Sequence, residues 1–143
     1  MFERIDSLIT QHDFAFQSWN DRYSKGVWAC LAPVESLLDE VRESTSDGDL
    51  DMIPATEYFS STNWLPLVAG RTFVDALTRL EALLASLPQG QLCRMSAWSG
   101  AVIEALEYLG EVRRSSSQYG DTDGQFKKLP TSWEAVMAAN ESK

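Results

Sequence analysis

Apolar side chains recur at spacings of four and three residues in four stretches of the chain, and that spacing gathers them on one face of an α-helix. The first stripe runs Ile5, Ile9, His12, Phe16, Trp19, and the second Val27, Leu31, Val34, Leu38, Val41. The third runs Phe73, Leu77, Leu80, Leu84, Leu87, widened by Val74, Ala76 and Leu83. The fourth runs Trp98, Val102, Ala105, Leu109, Val112, widened by Ile103 and Leu106. No stretch shows a convincing alternation of β-branched residues, so the spacing predicts an all-α fold.

Punctuation agrees with four helices. Gly26 separates the first two, and Pro88-Gln89-Gly90 closes the third, because proline lacks a backbone donor and glycine permits the left-handed conformations that end helices. A connection that short makes helices three and four antiparallel neighbours. Pro33 interrupts the second stripe, which predicts a kink there or a helix that starts beside it. Gly100, flanked by Ser96 and Ala97, predicts a close helix approach in the core. Arg113 and Arg114 end the fourth stripe, where cations complement the helix dipole.

Between the second and third stripes, residues 44–66 lose the helical period and mix Ser, Thr, Asp, Gly and proline with Leu50, Ile53, Tyr58, Phe59 and Trp64. A crossover this long inside a compact domain is uncommon and more often functional than a short one. Residues 115–129 are polar and read as a mobile segment. Thr131 with Glu134 three residues on resembles a capping box and predicts a short terminal helix over 131–140. The whole is expected to be one domain over residues 1–143: an up-and-down four-helix bundle with a long acidic crossover between helices 2 and 3 and a short C-terminal helix.

Charge is the most informative part of the composition. Of a net −9, residues 33–64 carry −7: Glu35, Asp39, Glu40, Glu43, Asp47, Asp49, Asp51 and Glu57 against Arg42 alone. Direct nucleic-acid binding needs a basic footprint and is not expected here. A basic surface on a partner protein is the natural complement. The expected docking residues are Glu35, Asp39, Glu43, Asp47, Asp49, Asp51 and Glu57, with Tyr58 and Trp64 as aromatic anchors. Aromatic residues off the regular helices, Trp64 and Trp133 among them, also serve to pin the crossover and tail to the core.

Constellations for bond chemistry are scarce. The single histidine, His12, lies on an apolar stripe and reads as a partly buried, hydrogen-bonded core residue. Without a second histidine or a Cys-x-x-Cys, structural zinc is not expected, and no other cofactor is implied. Cys30 and Cys93 sit in apolar surroundings and read as free thiols. Asp47-Gly48-Asp49-Leu50-Asp51 resembles the opening of a calcium loop, but Met52 replaces the required glycine at the sixth place and Tyr58 the carboxylate at the twelfth. The carboxylate ladders Glu35-Asp39-Glu43 and Glu104-Glu107-Glu111 read as solvated faces.

A non-enzymatic, stoichiometric binding protein follows as the leading expectation, of the inhibitor, immunity, antitoxin or anti-defence kind, with imitation of nucleic acid as a special case. A homo-oligomeric adaptor, compatible with a homodimer, is the alternative. A metal-dependent all-α nucleotide hydrolase built on the carboxylate ladders comes third. Charges within the first six residues, where an export signal needs an apolar run, point to the cytoplasm. No apolar run reaches the roughly 18 residues that a membrane span needs.

Overall fold

The computed structural model describes residues 1–21, 26–46, 62–87, 92–96, 98–100, 102–104, 106–107, 132, 134–135 and 138. Elements follow in the order α1 (Glu3–Gln11), β1 (Ala15–Asn20), β2 (Val27–Ala32), α2 (Ser36–Ser46), β3 (Leu67–Gly70) and α3 (Phe73–Ala85). Residues 98–100, 102–104 and 106–107 are also helical, as are 134, 135 and 138. The fold is therefore α+β: a three-stranded antiparallel sheet of order β1-β2-β3 carries helices, and the all-α four-helix bundle expected above does not form.

The first two stripes each divide between a helix and a strand. α1 ends at Gln11, Asp13 takes a left-handed φ of 58°, and the Phe14 amide turns back to the Leu8 carbonyl at 2.9 Å. Aspartate tolerates that conformation better than most side chains, so the chain can leave the helix axis here. The buried face of α1 carries Ile5 and Leu8, while Ile9 of the expected stripe is 39% exposed. Downstream, Phe16 pairs with Leu31 and Trp19 with Trp28 across the β1/β2 hairpin.

β2 is the central strand. Val27 pairs with Gly70 and Cys30 with Leu67 on its other side, and Ala29, Cys30, Leu31 and Ala32 are all buried. Consecutive residues point to opposite faces of a sheet, so both faces of β2 are covered at that end. Pro33 closes the strand, since it cannot donate to the ladder, and α2 starts at Ser36. Pro33 thus marks a strand-to-helix junction: of the two alternatives the sequence offered, a helix does start close by, but a strand and not a turn precedes it.

α2 contacts β1 and β2; α3 contacts β2, β3 and α1. The start of α3 is capped twice over: Thr72 Oγ1 accepts from the Asp75 amide at 3.1 Å, and Asp75 accepts from the Arg71 amide at 2.9 Å. The Arg71 amide, with help from the nearby arginines, holds the Asp75 carboxyl below the ordinary aspartate range. Ala76, Leu80 and Leu84 turn inward from this helix. The core also includes Trp64, Trp98, Val102 and Leu106, with the Phe14 and Trp98 rings stacked at 5.9 Å.

Ser96 caps the helical residues that follow, accepting from the Ser99 amide at 3.2 Å. Gly100 next to this cap is not a close-approach residue among the described residues, because a Cβ placed there meets none of them within 4 Å. With no contact to lose, Gly100→Ala should stabilise the fold by roughly 0.5–1 kcal/mol through helix propensity alone, read as a higher denaturant midpoint at constant slope. A lower midpoint would mean that the helix is crowded at this position. Toward the C-terminus, Ser132 Oγ accepts from the Ala135 amide at 3.1 Å, so the cap bond there is made by Ser132, one residue after the threonine the sequence suggested.

Candidate functional site

Two surfaces bring polar side chains together among the described residues. The first is the outer face of α2. Leu37, Leu38 and Val41 of this helix are buried, and helical geometry then turns Asp39 to the opposite side, with Glu35 in the turn just ahead of the helix. Both are exposed, as is Arg42. Glu43 belongs to the same helix. Asp47, Asp49, Asp51, Glu57 and Tyr58 lie outside the described residues, and so does the loop that resembles a calcium site. Trp64 is wholly buried, so it serves the core and cannot anchor a partner.

The second surface is a cleft of about 350 Å³ along α1, lined by Glu3, Arg4, Ser7, Leu8, His12 and Leu92. Arg4, Leu8 and His12 are four residues apart and share one helix face. His12 is partly buried, as its stripe suggested, and lies at the C-cap of α1 in the lining of this cleft. Charge on the cleft is tied at both rims. Glu3 accepts a hydrogen bond from the N-terminal ammonium at 2.9 Å, which holds its carboxyl below the usual glutamate range. Arg4 donates through Nη1 to Glu81 of α3 at 3.2 Å.

Glu81 does more than pair with arginine. Its two carboxylate oxygens accept the backbone amides of Arg4 and Ile5, each at 3.1 Å, while Phe2 at the N-cap supplies no side-chain cap. A carboxylate from another helix therefore satisfies amides that α1 leaves open at its N-terminus. Among the cleft residues, only His12 had been singled out from sequence. Arg4 sharing a face with His12 was the available signal; Leu92 and Glu81 arrive by tertiary folding and left none.

Burial pushes the Cys30 thiol far above the ordinary range, so it is a poor nucleophile, and Cys93 is also a free thiol. Glu104 and Glu107 are exposed, and Glu111 lies outside the described residues. Among the described residues no three His, Cys, Asp or Glu side chains converge as metal ligands would, and no helix is long and apolar enough to cross a membrane. Neither a protein-family model, nor a curated protein, nor a solved structure matches the chain.

Proposed function

We propose that the protein acts stoichiometrically, without bond chemistry, by presenting an acidic surface to a basic surface of a partner protein. The observation that carries this is the orientation of α2. Its apolar residues face the core, and the carboxylates of Asp39 on it and of Glu35 just ahead of it are exposed, at the head of a stretch that holds −7 of the chain's −9 charge. Charges arranged this way do little for folding, since exposed ion pairs contribute under about 1 kcal/mol. They create a one-signed field that speeds encounter with a basic patch and rejects acidic competitors. An inhibitor, an immunity protein or an antitoxin uses such a field, and a basic nucleic-acid-binding partner would be blocked by it.

The test compares two forms of the protein as bait in an extract of its source cell: the wild type and the double variant Glu35→Lys, Asp39→Lys. A true partner should be retained by the wild type at low salt, released as salt approaches roughly 0.5 M, and associate on the order of tenfold more slowly with the variant. The variant should keep its circular dichroism spectrum. Equal retention by both baits would sink the proposal.

A further inference from the structure

The cleft along α1 lies apart from the acidic face and has its own chemistry. Its volume falls in the range of small-molecule sites. It follows α1 from Arg4 to His12, about 12 Å at the helical rise. Leu8 and Leu92 give it an apolar lining, and Ser7, whose hydroxyl donates to Gln11 Oε1 at 3.1 Å, lines it too.

Arg4 decides what could bind. A guanidinium carries five N–H donors. One meets Glu81, while the Nε–H is buried and has no hydrogen-bond partner among the described residues. That nitrogen is sealed from the cleft, so a ligand would meet the outer Nη groups, of which Nη1 already meets Glu81. The side chain is still 41% exposed, so the guanidinium can be reached from the cleft. Glu81 neutralises it only in part, because that carboxylate is shared with two backbone amides of α1.

We propose that this cleft binds a small organic monocarboxylate, with the carboxylate on the Arg4 guanidinium and the carbon chain over Leu8 and Leu92 toward His12. Charge selects a monoanion. A phosphate dianion would set two negative charges beside Glu3 and Glu81, whose own cations, the N-terminal ammonium and Arg4, are already engaged by them. Geometry selects a carboxylate, since the planar guanidinium offers paired N–H groups at the spacing of two carboxylate oxygens. A neutral amide of the same shape lacks the charge and presents donors to donors.

The chain holds one histidine, so the His12 ring is a unique nuclear magnetic resonance reporter in the cleft. Butyrate is the probe, with butyramide and inorganic phosphate as controls. Butyrate should shift the His12 ring and the α1 amides in a saturable manner at roughly millimolar concentration, and butyramide and phosphate should bind at least about tenfold more weakly. Arg4→Lys keeps the charge but loses the paired geometry, and should weaken butyrate several-fold. Ser7→Phe fills the cleft without touching the Arg4–Glu81 contact, and should abolish the shifts while the fold persists. No saturable shift with butyrate, equal binding of butyramide, or full binding to the Ser7→Phe protein would each overturn the proposal.

Discussion

Replacing Gly70 by alanine should destabilise the protein by roughly 2–3 kcal/mol, toward the upper end of overpacking costs. A Cβ at this position would lie 2.5 Å from the Ala76 amide nitrogen, 2.8 Å from its Cα and 2.9 Å from the Asp75 carbonyl carbon. All three atoms are backbone, so no side-chain rotation relieves the clash. Ala76 is completely buried, and the first turn of α3 is held by the Thr72 and Asp75 caps. α3 would have to withdraw from the sheet, taking Leu80 and Leu84 with it. In urea the midpoint should fall with little change in slope, and the melting temperature should drop by about 5–12 °C. An unchanged midpoint would show that α3 does not press on β3 as described. Gly100→Ala, the same chemical change on a helix with open space, should move the midpoint the other way.

That contrast shows what apolar spacing could and could not reveal. Phe73 to Leu84 carried the period of a helix, with Thr72 just ahead of it and Asp75 in its first turn, and α3 forms there. In β2 the same spacing misled. Residues four apart share a face of a helix, but four is also even, so Val27 and Leu31 share a face of a strand equally well. The intervening Trp28, Ala29 and Cys30 are apolar too, because a central strand is covered on both sides and has no polar phase to display. β3 is four residues between Pro66 and Arg71, too short for any period to register. In the first stripe, the break at Asp13 rests on one left-handed residue, for which aspartate is permissive but not diagnostic.

The candidate sites divide along the same line. Exposure of Asp39 could be inferred locally, since it alternates with Leu37, Leu38 and Val41 on one helix, and Glu35 lies just ahead of that helix. Trp64 could not be placed that way: an aromatic residue off the regular helices fits a core pin as well as an anchor, and only its complete burial decides. Of the cleft, only the wall on and beside α1 is local in sequence; Leu92 joins it from far along the chain and left no local signal.

Glu81→Ala should cost roughly 2–4 kcal/mol, and most of that loss should come from α1 rather than from the ion pair. The contact joins residues 77 apart in sequence, so nothing local replaces it. Removing the carboxylate leaves the Arg4 and Ile5 amides without their acceptor, and an unsatisfied partly buried donor costs about 1–3 kcal/mol. The Arg4–Glu81 pair itself contributes less, because the arginine side chain is 41% exposed against 13% for the glutamate, and solvent screens it. Arg4→Ala should therefore be markedly milder than Glu81→Ala. Glu81→Gln keeps one acceptor oxygen and should fall between them. Hydrogen exchange locates the effect: in the alanine variant the amides of α1 should lose protection before those of β2, since Ile5 and Leu8 dock α1 on the core only while its first turn is held. Equal losses from Arg4→Ala and Glu81→Ala, both removed by high salt, would instead make this an ordinary ion pair and not a helix cap supplied across the fold.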